Sequence, residues 1–598
     1  MPGAIGDYAL IGDMETAALV GRDGSIDWLC LPRFDSQACF AALLGDESHG
    51  RWRIAPAAGG SPTHVAADVD VRRRYRGDTL ILETEWQTGD GTVRVIDFMS
   101  PRDQVPDLLR IVEGVSGAVQ MASELKPRLD YGQVVPWLYQ AESQVGAIAG
   151  PDSFWLSSPV GTHSQDFTTY ADFTVTEGQR LPFVLTWNPS HGETPAPADP
   201  EAALARTEKV WREWISDCAY QGKWRDPIVR SLLTLKALTY GPTGGVVTSP
   251  TASLPAQPGV SRNADYRYCW TRDAAVTLDT LLRSGCTESA QAWRRWLGRA
   301  VAGTPAGLQS MYGLAGERRL PEYSLDWLPG HDGAGPVRVG NAATSRFKLD
   351  VYGEVLSAMH IALRAGIPPR DETWALLREL ADFLARNWRE PDSGLWDTHE
   401  PRRHFVYSKV MAWVGLDRAA RIADMRGTDE PVDYWRAERD EIHREVCERG
   451  YDSDRGTFTR YYGSGTLDAS LLLLPRLGFL PVGDERVVGT VNAIERELVV
   501  DGLVRRYESE NGGEDVPASD GAFLACSFWL AEALHLLGRR ADAQNLFERL
   551  LSLRNDVGLL SEMYDPRHER LVGNMPLALS HVALAHAAYT LAGWKDAH

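Results

Sequence analysis

The chain is predicted to fold as two parts of different class, an antiparallel β-sandwich followed by an assembly of helices. Three observations carry this. From about residue 5 to 200, short alternating runs are broken by turn residues; beyond about residue 200, apolar residues recur at helical spacing; and at 598 residues the chain exceeds one ordinary core. In the first part, Thr16 to Val20 and Ser25 to Leu29 flank a turn at Asp23-Gly24, and Leu80 to Trp86 and Thr92 to Phe98 flank Gly89-Asp90-Gly91. Both patterns read as hairpins. Glu201 to Tyr220 reads as a helix, so the expected division is a sandwich over 1–200, a linker helix over 201–224 and a helical domain over 225–598. Twelve helical stretches follow near 225–240, 271–284, 287–301, 350–365, 371–388, 407–425, 432–448, 466–475, 484–499, 520–537, 540–554 and 576–592. In the fourth, Val351, Val355, Met359, Ala362 and Leu363 share a face, and Gly366 with Pro368-Pro369 supplies the stop. Twelve helices imply six antiparallel pairs; the absence of a fixed residue-level repeat disfavours a solenoid and leaves a closed ring of hairpins open.

Composition narrows the function. Sixty-two Lys and Arg against 81 Asp and Glu give a net charge of −19, which repels phosphate backbones and anionic lipid, so neither nucleic acid nor membrane is an expected partner. No apolar run approaches the roughly 18 to 20 residues needed to cross a bilayer. The opening Met1 to Asp7 lacks a basic segment ahead of an apolar stretch, and a cytoplasmic location is expected. Seven scattered cysteines with no C-x-x-C pair predict reduced, mostly buried thiols. His399 and His404 are not spaced as a helical metal pair, and Asp452 to Gly456 lacks the later ligands of a calcium loop, so a hairpin turn is expected there and no metal is called. No phosphate-cradling glycine motif is present, and no cofactor is called.

Three clusters carry possible chemistry. Tyr266 to Asp273 precedes a helix, so Asp273 either caps that helix or faces a pocket, where an Arg-Asp pair can bind vicinal hydroxyls beside Trp270. Gly394 to Glu400 and Leu560 to Pro566 are both read as loops ahead of helices. Cleaving a glycosidic bond requires one carboxylic acid to protonate the leaving oxygen and one carboxylate to activate water, about 6.5 to 9.5 Å apart if the configuration inverts. Spacing alone does not select the pair. Twenty tryptophans are available to stack on sugar faces, or to fill the core.

The whole chain resembles glycoside hydrolase family 15, in the glucoamylase-like branch that also contains trehalases. The resemblance rests on Asp7 to Asp13, Asp23 to Ser36, Tyr266 to Asp273, Leu349 to Val355, Tyr407 to Trp413, Leu467 to Ser470 and Gly573 to His581. It implies an N-terminal super-β-sandwich packed on an (α/α)6 barrel and an inverting, exo-acting enzyme that releases β-glucose from a small α-glucoside. By the same resemblance Glu562 is the base, and the acid follows Trp396, where this chain has Asp397 in place of the usual Glu; Glu400 is the alternative acid. Arg272 and Asp273 would hold the 4- and 6-hydroxyls of the terminal glucose, with Tyr266 near the attacking water and Trp270 lining the pocket; Arg506 matches a substrate-binding Arg. Structural alternatives stay open: Tyr266 packs the barrel wall, and Arg506 pairs with Glu508 or Glu510. The family's Trp, Gln and Glu are replaced here by Ala264, Lys348 and Asp520.

A small carbohydrate or glycoside is therefore the expected partner, of trehalose, maltooligosaccharide or isomaltose type, with loops around Trp28 to Asp35 and near Trp327 shaping the choice. The competing expectation, motivated by Asp397, is a protein that binds a sugar or acts on a non-sugar substrate with little hydrolysis. Oligomeric state is left open.

Overall fold

The computed structural model describes residues 2–57, 69–141, 143–257, 259, 263–396, 401–427, 432–508 and 521–594. The N-terminal part is a sandwich of fifteen antiparallel strands organised on one 20-residue strand, Asp107–Lys126. The first half of that strand pairs with Gly91–Met99 and Arg180–Pro189, and the second half pairs with Arg51–Pro56 and Thr168–Thr176. The strand passes between layers at Gly114 to Gly117. There Gly117 has φ +68°, and a Cβ on Gly114 would lie 2.1 Å from the Thr176 carbonyl oxygen, so a side chain at either position would obstruct the crossing. Both expected hairpins form, Ala17–Val20 with Ser25–Cys30 and Leu82–Thr88 with Gly91–Met99. A buried ion pair, Arg110 to Asp97 at 2.7 Å, lies beside the Trp52 ring; Arg110 also donates to the carbonyls of Trp52 and Gly24, which satisfies the enclosed cation.

Helix α1 (Pro200–Ser216) is capped by Asp199, which accepts from the Glu201 and Ala202 amides, and it lays Ala203 and Leu204 on the sandwich. Twelve more α-helices follow among the described residues: α2 (Arg225–Ala237), α3 (Ala274–Arg283), α4 (Thr287–Ala300), α5 (Asp350–Arg364), α6 (Asp371–Asn387), α7 (Val406–Arg426), α8 (Val432–Arg449), α9 (Leu474–Leu477), α10 (Glu485–Glu497), α11 (Leu524–Leu536), α12 (Arg540–Ser552) and α13 (Ala578–Leu591). An inner ring runs α3, α5, α7, the turn Ala469–Leu473 with α9, α11 and α13, and α13 closes on α3. Helices α2, α4, α6, α8, α10 and α12 pack around it, completing an (α/α)6 barrel. Position in the ring explains composition: α11 and α13 bury residues all round, whereas α4 buries the stripe Ala290, Trp293, Trp296, Leu297 and Ala300.

One expected helix differs. Over 466–475 the chain forms a 3-10 turn, Ala469–Leu473, then the single turn α9, because the Pro475 ring would strike the Leu471 carbonyl in a continuous α-helix. The segment around Asp452 to Gly456 is the expected hairpin, with Tyr451–Asp452 paired to Thr457–Phe458. Six of the seven cysteines are buried. No described helix is long and apolar enough to cross a membrane, and among the described residues no cluster of three or more His, Cys, Asp or Glu is arranged for a metal.

The two parts share a continuous apolar core. Polar contacts also cross between them: the Trp28 indole donates to the Pro250 carbonyl at 2.7 Å, and Arg73 pairs with Asp556 at 2.6 Å.

Candidate active site

Glu562 is 5% exposed and fixed through its backbone, its N–H donating to the Asn574 carbonyl at 2.9 Å and its carbonyl accepting from the Leu524 N–H at 3.2 Å. The segment that follows is not the expected loop. Met563–Asp565 is the middle strand of a three-stranded sheet, paired with Ala522–Phe523 and Arg570–Val572. Its residues alternate between buried and half-buried, and Asp565 accepts from the Arg567 N–H to make the return turn.

The two carboxylate oxygens of Glu562 each meet a donor: the Tyr266 hydroxyl lies 3.1 Å from Oε1 and the Asn574 N–H 3.3 Å from Oε2. Burial, and then the Glu562 charge, push the Tyr266 phenol up, while Arg506 and Arg272 pull it down. That pattern places both cations within electrostatic reach of the hydroxyl. Tyr266 thus points at the predicted base rather than only packing a wall.

Trp270 stands in the two-residue strand Cys269–Trp270, paired with Met311–Tyr312, and meets Tyr266 edge to face at 5.9 Å between ring centres. The Arg272 guanidinium lies 4.4 Å from the Trp270 ring centre, and its Nε is 3.0 Å from Asp273. Asp273 makes no side-chain cap to α3, so the capping alternative does not hold.

Trp396 is 7% exposed and packs against Phe523 and Trp529. Its indole N–H lies 2.9 and 3.0 Å from the two Asp468 oxygens. Arg506 lies 5.9 Å from the Trp396 ring centre and 5.6 Å from that of Phe523. Phe523 also faces Met563 in the sheet beside Glu562, so the Trp396 and Glu562 groups share a wall. Asp397, Glu400, Glu510 and Asp520 lie outside the described residues.

Three supporting residues were not singled out from sequence. Asp468 orients Trp396 and caps the Ala469–Leu473 turn by accepting from the Ser470 N–H, a role that Asp-x-Ser before an apolar run could have signalled. Asn574 serves Glu562 through its N–H and ties Thr251 and Ala264 to the same loop through its amide. Phe523 joins the two groups. Lys348, noted only as a departure, donates to the Leu395 carbonyl at 3.3 Å and stands 5.9 Å from the Trp270 ring centre.

Trp28, expected to shape the sugar site, is fully buried behind Pro250, whereas Trp327 is 38% exposed and donates to the Tyr131 carbonyl. A cavity of ≈ 350 Å³ between Leu31 to Cys39 and the Asp152 to Phe154 strand is lined by none of the predicted site residues.

Comparison with known proteins bears on this arrangement. The model for glycosyl hydrolases family 15 matches residues 222–589, and that for a trehalase-like N-terminal domain matches residues 2–211. The chain is similar to a protein named Trehalase from Mycolicibacterium smegmatis, at 37% identity over 618 residues, covering 98% of this chain and 90% of the relative. A protein of the same name from Thermoplasma volcanium is 32% identical over 587 residues, covering 97% and 92%. The crystal structure of a bacterial glucoamylase complexed with acarbose matches with a TM-score of 0.77 over 100% of this chain and 96% of that one; at 14% identity this is a likeness of fold.

Proposed function

The chain belongs to glycosyl hydrolases family 15, and from that premise we propose that this glycoside hydrolase cleaves trehalose with inversion, using Glu562 as base and Asp397 as acid. One observation carries the mechanism: Glu562 is held by its backbone on both sides while Tyr266 and Asn574 meet its two oxygens, an arrangement suited to a carboxylate acceptor. The substrate is supported by similarity along nearly the whole chain to relatives named Trehalase.

In this reading Arg272 and Asp273 bind hydroxyls of one glucose, with Trp270 as an apolar wall and Trp396 and Arg506 on the other side. Glu562 removes a proton from water as the water oxygen bonds to the anomeric carbon. The glycosidic carbon–oxygen bond breaks, and Asp397, assigned by its place after Trp396, passes its proton to the departing oxygen. The attacked ring leaves as β-glucose, and the other glucose keeps the α configuration.

The test is anomer-resolved NMR of trehalose, maltooligosaccharides and isomaltose incubated with wild type and Glu562→Gln. Wild type is expected to release β- and α-glucose together from trehalose, and the variant to lose about 10²- to 10⁴-fold in turnover with an unchanged circular dichroism spectrum. Unaltered turnover removes Glu562 from the mechanism, α-glucose alone excludes inversion, and cleavage of another sugar but not trehalose overturns the substrate.

A further inference from the structure

Asp273 occupies the position ahead of α3 from which an Asp ordinarily turns its carboxylate onto the first amides of its own helix. Here it makes no such bond, and its Oδ1 lies 3.0 Å from the Arg272 Nε. The amide left over is satisfied from another helix: Glu354 on α5 accepts from the Ala275 N–H, with Oε2 at 3.3 Å. Ala275 is the second residue of α3, and its amide is among those an N-cap side chain would accept from. We propose that Glu354 is a positioning residue that caps α3 from α5 and thereby keeps Asp273 turned toward Arg272 and available to sugar hydroxyls. This rests on the reading of Arg272 and Asp273 as hydroxyl-binding groups.

The placement of Glu354 supports the assignment. It is 8% exposed, on a helix of the inner ring that packs between α3 and α7. A carboxyl there is costly to bury without a hydrogen-bonding task. Asp273 from the turn before α3, Asp350 on its own helix, Arg476 on α9 and Tyr407 on α7 all act on it or feel it. Burial first, then Asp273, push its carboxyl up to about 8, against the pull of Arg476. Near neutrality the cap is uncharged and does not repel Asp273. Above about pH 8 it ionises beside Asp273, and the pair becomes unfavourable.

The test compares wild type with Glu354→Gln, which keeps an acceptor oxygen, and Glu354→Leu, which does not. Glu354→Leu is expected to raise KM for the cleaved glucoside about five- to tenfold with kcat changed less. Glu354→Gln should stay within about threefold of wild type. Hydrogen exchange of the Ala275 amide, read without substrate, should accelerate in Glu354→Leu and remain slow in Glu354→Gln. Equal losses in both variants, or an unchanged Ala275 exchange rate in Glu354→Leu, would overturn the proposal. If Glu354→Leu does not fold, accelerated exchange of the Ala275 amide in Glu354→Gln, which keeps the acceptor oxygen, overturns it. If the wild type cleaves no glucoside, the functional reading fails, while amide exchange still decides the cap.

Discussion

At Gly573 the backbone has φ +79°, and a Cβ would lie 2.7 Å from the Glu562 Cβ and 2.8 Å from its Oε2. Glycine therefore meets two needs at once, a left-handed backbone and room for the carboxyl. The Tyr266 hydroxyl is the side-chain donor that meets the Glu562 carboxylate, at 3.1 Å from Oε1. Tyr266→Phe is expected to lower kcat/KM about ten- to hundredfold, the scale of one hydrogen bond to a charged group. The thermal midpoint should change little, because the ring still packs against Trp270. An unchanged kcat/KM would reduce Tyr266 to wall packing. Tyr266, Trp270, Arg272 and Asp273 were legible because they are neighbours in one short run. Asp468 was not, since the indole it orients is 72 residues away and no local pattern reports such a pairing.

Among the elements, the closure of the inner ring has its own chemistry. His586 on α13 is buried, with Nε2 3.0 Å from Asp279 on α3 and Nδ1 3.2 Å from Glu532 on α11. Arg283 pairs with Asp279, and Arg476 lies 3.5 Å from Glu532. Burial alone would push this imidazole down, but Glu532 and Asp279 outweigh it and hold the His586 pKa above its ordinary value. The carboxyl of Glu532 is pulled down to about 2 by His586 and Arg476 against the cost of burial, and Asp279 is also held low. The signs follow from proton linkage. A raised histidine contributes stability that is complete below its unfolded pKa, about 6.5, and is lost as pH climbs through the folded value. The lowered carboxyls contribute above their unfolded values, about 4, and lose that contribution toward pH 2. The thermal midpoint is thus expected to peak between about pH 5 and 6.5 and to decline on the alkaline side. His586→Gln should flatten that decline and lower the midpoint at pH 6. Parallel wild-type and variant profiles in differential scanning calorimetry would contradict this. Eleven of the twelve expected helical stretches were readable from periodicity, whereas the one expected over 466–475 is broken by Pro475 into a 3-10 turn and the single turn α9, and the strand after Glu562 was missed because three residues are too few to show a period.

Across the whole molecule, the sandwich reaches the Tyr266–Asp273 segment through Arg267, the residue after Tyr266. Arg267 is 1% exposed and pairs with Asp265 at 2.7 Å. It also donates to the Ser36 carbonyl at 2.7 Å and to the Tyr131 hydroxyl at 2.8 Å, both in the N-terminal part. Since the apolar core also crosses the boundary, the two parts are expected to unfold in one calorimetric transition, and Tyr131→Phe should lower its midpoint without splitting it. Two separate transitions in the wild type would show that the parts are stable independently. Alternation, helical periodicity and turn residues by themselves determined the order of strands then helices, and short motifs carried the family resemblance. These are local properties, set by which backbone conformations a run of side chains can tolerate and bury. Only the tertiary structure decided that Tyr266 meets Glu562 across 296 residues, that Trp396 is oriented by Asp468, and that Glu354 rather than Asp273 caps α3. Such pairings depend on ring closure, which brings distant buried polar groups within hydrogen-bond distance, where leaving any of them unpartnered is costly.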